Sequence, residues 1–189
     1  LYTALTQGNV WDAPDYESSL GIRIMDSRKQ QLLLRKSGSL LARRAYSRGE
    51  LRDRLLRIAG KNSVDPLLDR LEQLNLLNDA DYAYNFALRR LADDGWGPRK
   101  VRDLLLRRQV ALAIVEQALE RVCSEMGSER ALENYMEKYR NRRGLPADLK
   151  GLRRLFSHLR QRGFEEAEVL GVLSRLVSPA LWQRFETGE

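Results

Sequence analysis

Between Lys138 and Arg162 the sequence carries Lys138, Arg140, Arg142, Arg143, Lys150, Arg153, Arg154, Arg160 and Arg162 against a single acid, Asp148. Guanidinium and ammonium groups at this density suit one kind of chemistry, the neutralisation of closely spaced anions such as a run of phosphates or an acidic protein rim. Arg153 and Arg160 stand one heptad apart, so they share a helix face beside the Leu152/Phe156/Leu159 stripe and can follow a phosphate track. A second group, Arg99, Lys100, Arg102 and Arg107, is spread around another helix whose apolar side is Val101, Leu104, Leu105 and the stem of Arg108. The whole chain carries a net charge of +7, which favours a polyanionic partner.

Bond-making chemistry has much less to work with. Cys123 is the only cysteine and His158 the only histidine. No Cys/His metal cluster, no close Cys-His pair and no Gly-x-x-x-x-Gly-Lys phosphate loop can be drawn from these residues. No catalytic residue, cofactor or metal is therefore expected. A lone cysteine also excludes an internal disulfide and fits a reducing compartment. His158 lies opposite the apolar stripe and reads as a surface residue, and Cys123 as a small residue near a helix end. Asp79, Asp81, Asp93 and Asp94 read as helix-end residues, of which Asp79 and Asp81 complement the dipole at a helix start. The longest apolar run, Val110 to Val115, is far short of a membrane span, so a soluble, cytoplasmic protein is expected; a monomer is expected as well.

The cations need a scaffold, and its centre is Gly95-Trp96-Gly97-Pro98. Gly95 can close an incoming helix in a left-handed conformation, Gly97 can cap the next, and Pro98 suits a first helical position. Trp96 at N′ and Val101 at N4 have the spacing of a hydrophobic staple, so Trp96 reads as a packed residue rather than a base-stacking one. The device recurs: Leu51–Arg57 aligns without gaps with Val101–Arg107 at a shift of 50, and five of seven pairs are identical. Tyr46 and Ser47 fall where Trp96 and Gly97 fall, and Ser47 with Glu50 makes a capping box. A looser third copy places Leu155, Leu159 and Phe164 against Val101, Leu105 and Val110 at a shift of 54. A period near 50 suits three short helices per unit.

Taken in order, residues 1–26 form a non-helical extension, either disordered or carrying a short strand in which Ile22 and Ile24 alternate. Residues 27–77 form the first three-helix unit, with Ser37-Gly38-Ser39 a break or kink in its first helix and Pro66 in the first turn of its third, from about Val64 to Leu76. Residues 78–127 form the second, opened by Asn78 as cap with Asp81 at N3. Residues 128–177 form the third, and 178–189 a tail. The expected fold is all-α, about nine helices in an elongated curved array.

Leu41-Ala42-Arg43-Arg44-Ala45-Tyr46-Ser47, Glu50-Leu51-Arg52, Leu71-Glu72-x-Leu74-x-Leu76-Leu77-Asn78-Asp79-x-x-Tyr82-Ala83 and Gly95-Trp96-Gly97-Pro98-Arg99-Lys100-Val101 closely resemble the successive signatures of the RecX family of recombination regulators. The resemblance runs from about Leu40 to Leu176; Gln109 and Ala59 stand where that family commonly has a glycine. It implies a tandem three-helix-repeat protein of DNA recombination, repair and the SOS response. Such a protein lodges in the groove of a RecA-type recombinase filament on single-stranded DNA and restrains its ATPase and strand exchange. Two other readings stand beside it: a module binding single- or double-stranded DNA directly, and a structural helical adapter.

Overall fold

The computed structural model describes residues 27–127 and 130–188, so the extension and its expected strand lie outside the described residues. Regular structure among the described residues is helical throughout. It comprises α1 (Ser27–Leu41), α2 (Arg48–Leu55), α3 (Lys61–Gln73), α4 (Asp79–Ala92), α5 (Pro98–Arg107), α6 (Leu112–Met126), α7 (Arg130–Arg143), α8 (Leu149–Gln161), α9 (Glu166–Leu176) and α10 (Pro179–Thr187). The chain divides into two compact units, Leu1–Tyr82 and Ala83–Glu189.

In the first unit α1, α2 and α3 close on one core of Leu33, Leu40, Tyr46, Leu51, Leu55, Val64, Leu68, Leu71 and Leu77. Leu33 and Leu40 are two turns apart on α1, Leu51 and Leu55 one turn apart on α2, so each helix presents one apolar stripe. Helix α1 runs unbroken through Ser37-Gly38-Ser39, against the expected break. The Ser37 side chain is fully buried and its hydroxyl donates to the Leu34 carbonyl at 2.9 Å, so the polar group is satisfied within the helix. Helix α3 begins before the expected Val64, because the Ser63 and Val64 amides already bond the Gly60 carbonyl at 3.0 and 3.2 Å. Pro66 therefore sits past the first turn, where it removes one bond from the ladder.

The Ser47 capping box forms as the sequence requires. Ser47 Oγ accepts from the Glu50 amide at 3.1 Å, and the Glu50 carboxylate accepts from the Ser47 amide at 3.4 Å. Burial would raise the Glu50 pKa, but Arg44, the Ser47 amide and the Tyr82 hydroxyl hold it below the usual carboxylate range. Ser47 is fully buried. Ser47→Ala is expected to cost about 1–2 kcal/mol, since the Glu50 amide loses its acceptor in a dry site. A lowered urea midpoint at unchanged helical circular dichroism would check it.

In the second unit α5 packs on α6, α8 on α9 and α10, and α9 on α7 and α10. Val101 and Leu105 of α5, Leu152, Leu155 and Leu159 of α8, and Val169, Val172 and Leu173 of α9 are buried. Each such side chain contributes about 1.5–3 kcal/mol, against about 0.2–1 for an exposed ion pair, so the arginine-rich helices are held by their leucines. The residues read as a tail form α10. Ser178 Oγ caps it from the Leu181 amide at 3.4 Å, Pro179 takes the first position, and Phe185 packs with its ring 5.5 Å from Phe156 and 5.4 Å from Trp182. Ten helices thus replace the expected nine among the described residues. At the end of α5, Gln109 takes the left-handed conformation (φ 60°) that Gly163 (φ 89°) takes after α8, whereas Ala59 does not.

Candidate functional site

The corner forms as its residue types dictate. Gly95 has φ 61°, Gly97 is an extended N-cap, and Pro98 opens α5. What the local sequence could not show is where the corner docks. The Gly97 amide donates to the Arg162 carbonyl at 2.7 Å, and the Arg99 amide to the Gly163 carbonyl at 3.1 Å. The Arg162 guanidinium in return donates to the Gly95 carbonyl at 2.8 Å and to that of Asp94, and lies 4.4 Å over the Tyr135 ring. Trp96 is half-buried, with the Arg90 guanidinium at 4.6 Å and the Lys100 ammonium at 4.7 Å over its ring. Tyr46, its counterpart, is buried under Arg44 at 3.7 Å.

The candidate cations fall into two kinds. Several meet groups within their own unit: Arg99 pairs with Glu165 at 3.4 Å, Arg102 with Glu116 at 2.6 Å, and Arg160 with Glu166 at 3.2 Å. Arg153 donates to the Gly188 carbonyl at 3.2 Å. Arg102 also explains part of the sequence repeat. Its counterpart Arg52 pairs with Asp65 at 2.7 Å, so both arginines tie the second helix of a unit to the third. By contrast Lys138, Arg140, Arg142 and Arg143 are exposed on the last turns of α7, with no ion-pair partner among the described residues. Arg107 and Arg154 are exposed in the same way.

Three of the α7 cations, Lys138, Arg142 and Arg143, line a cleft of about 430 Å³. Its other walls are Asp93, Asp94 and Gly95 from the end of α4, Tyr135 and Tyr139 of α7, and His158 and Arg162 from α8 and its closing turn. His158 is therefore not the simple surface residue its position on the helical wheel suggests. It is half-buried, with Nε2 hydrogen-bonded at 2.7 Å to the Tyr135 hydroxyl. The signal that could have found it is not a spacing, because Tyr135 belongs to another helix. Asp94 forms an ion pair with Arg90, while Asp93 is exposed. Asp79 at the start of α4 accepts from the Arg48 amide at 2.7 Å, and burial raises its pKa.

Burial, with the positive charges of Arg162, Arg143 and Lys100, pushes the His158 pKa below its ordinary value of 6.5. A folded-state pKa depressed below the unfolded one means that the unfolded chain takes up the proton first as pH falls. The stabilisation held by neutral His158 is thus fully present above about pH 6.5 and is lost as pH drops through the folded value. Urea melts of the native chain and a His158→Gln variant should diverge below that pH, the variant losing less stability. Elsewhere the thiol of Cys123 is raised by burial and by Glu168, which makes it a poor nucleophile. Among the described residues no group of His, Cys, Asp and Glu could hold a metal, and no helix is long and apolar enough to cross a membrane.

The model of the RecX second three-helix domain matches residues 78–119. The regulatory protein RecX of Pseudomonas putida is 34% identical over 146 residues, covering 76% of this chain and 88% of that protein. That of Thermus thermophilus is 40% identical over 103 residues, covering 54% and 68%. The crystal structure of RecX from Lactobacillus salivarius superposes with a TM-score of 0.68 at 19% identity, over 80% of this chain and 98% of that one.

Proposed function

The chain belongs to the RecX family of regulatory proteins, and on that premise we propose that it binds the groove of a RecA-type recombinase filament on single-stranded DNA. There, as a monomer in the bacterial cytoplasm, it restrains ATP hydrolysis and strand exchange. It acts by occupancy rather than catalysis. The observation that carries this reading is the group Lys138, Arg140, Arg142 and Arg143, displayed on α7 without ion-pair partners among the described residues. Such cations release counterions when they meet a polyanion and give up no internal pair in doing so. Arg99 and Arg102 contribute at lower cost than their ion pairs suggest, because exposed pairs are worth only about 0.2–1 kcal/mol.

The deciding measurement is ATP hydrolysis by a recombinase–single-strand filament at moderate salt with increasing amounts of the protein. Progressive loss of hydrolysis is expected; a protein that neither binds the filament nor alters hydrolysis would end the reading. Direct DNA binding is the second reading, favoured by the same α7 group. It separates on a log–log salt plot, where a naked single strand should give a slope of about −0.7 per phosphate contact and a protein-dominated contact a shallower one. A structural adapter would keep its partner after Lys138, Arg142 and Arg143 are all changed to alanine.

A further inference from the structure

The cleft at the end of α4 is built for more than general charge attraction. We propose that it is a phosphodiester subsite: it takes one backbone phosphate of single-stranded nucleic acid between Lys138, Arg142 and Arg143, with Tyr139 beside it for the neighbouring base. This deepens the reading above, and rests on it only in giving the strand, rather than the recombinase, to this face.

Four observations point the same way. The volume of about 430 Å³ suits a phosphate with part of a nucleotide. Three cations come from less than two turns of α7 and have no ion-pair partner among the described residues, so their charge is available to a ligand. Of the two acids, Asp94 is neutralised by Arg90, which leaves Asp93 alone against them. Finally, the floor is aromatic. Tyr135 and Tyr139 are both half-exposed, 6.4 Å apart, and Tyr135 is engaged by Phe164 at 6.3 Å, by His158 and by Arg162. Cations beside a half-exposed ring are how non-specific single-strand binders hold backbone and base together. An acidic peptide would use the cations and leave the ring idle.

His158 makes occupancy measurable. The charged groups about it are Arg162 on its own helix end, Arg143, Lys138 and Arg142 on α7, Lys100 on α5, and Asp93 and Asp94 from α4. Burial and the net positive field of these groups favour the neutral ring. A phosphate reverses that field, and Tyr135 can serve either protonation state, donating to the neutral ring or accepting from the imidazolium. Strand binding should therefore tighten as pH falls, the opposite sense to the stability effect.

Because His158 is the only histidine, its ring protons give an unobstructed NMR signal in the full chain. The experiment follows its titration midpoint at low salt alone, with saturating oligothymidylate, with inorganic phosphate and with polyglutamate. The oligonucleotide should raise the midpoint by about one pH unit, the equivalent of tenfold tighter binding to the charged form. Phosphate should do so only at high concentration, and polyglutamate less than the oligonucleotide. Arg142→Ala with Arg143→Ala, two exposed changes, should weaken oligonucleotide binding about tenfold or more and flatten the salt slope by about 0.7 for each lost contact. An oligonucleotide that binds without moving the midpoint, or polyglutamate that moves it equally, overturns the proposal. A moved midpoint with no effect of the native chain on filament ATP hydrolysis would sink the filament reading alone; an unmoved midpoint with restrained hydrolysis would sink the subsite alone.

Discussion

Gly97→Ala and Gly163→Ala are each expected to destabilise the second unit by more than about 3 kcal/mol, the upper end of what overpacking costs. A Cβ on Gly97 would stand 2.2 Å from the Gly163 carbonyl and 2.3 Å from the Phe164 nitrogen, and one on Gly163 would stand 2.4 Å from the Lys100 nitrogen. The obstacles are backbone, so no rotamer change relieves them. At Gly163 the positive φ of 89° adds a conformational cost of about 1–2 kcal/mol. Two controls separate the joint from glycine in general. Gly144 has φ 74° with nothing within 4 Å, so alanine there should cost only about 1–2 kcal/mol. Gly171 lies exposed in α9 with nothing within 4 Å, so alanine there should stabilise by about 0.5–1 kcal/mol. Urea midpoints of the four variants should therefore fall into three classes, and equal losses at Gly97 and Gly144 would refute the packing account.

Arg162→Ala is expected to cost about 2–3 kcal/mol. Two carbonyls, those of Gly95 and Asp94, lose a charged donor, and the Tyr135 ring loses the guanidinium 4.4 Å above it. Lysine should recover little, because one ammonium cannot reproduce a planar fork that spans two carbonyls and lies over a ring. The bond from the Gly97 amide to the Arg162 carbonyl is backbone and survives both changes. Denaturation of the two variants would check this; a lysine variant as stable as the native chain would show that charge alone matters at this position.

The parts of the fold that were legible in the sequence are those decided within a few residues. Ser47 with Glu50, Asn78 ahead of Asp81, and Gly95-Trp96-Gly97-Pro98 carry their geometry in their own types and spacing, and Asn78 Oδ1 duly accepts from the Ala80 and Asp81 amides at 3.0 and 3.1 Å. Helix α10 could have been read the same way, since Ser178-Pro179 is a cap followed by a first-turn proline. Gly38 misled because glycine weakens a helix locally, while Leu33 and Leu40 on either side are held by a core that the local sequence does not contain. The long-range parts were not legible at all. That His158 meets Tyr135 and that Arg102 and Arg160 find Glu116 and Glu166 depends on how the helices of one repeat close on each other, and that Gly163 meets Lys100 and Arg99 finds Glu165 depends on how two repeats come together. Charge counting located the α7 cations but could not separate them from arginines occupied at home.

The docked corner also sets a clock. The Gly97 and Arg99 amides belong to the N-cap and the second position of α5, where a helix has no acceptors of its own, and Pro98 between them has no proton. Their acceptors are carbonyls that follow α8. Deuterium should therefore enter both positions at one shared rate, that at which α8 and its closing turn lift away, however rarely α5 itself frays.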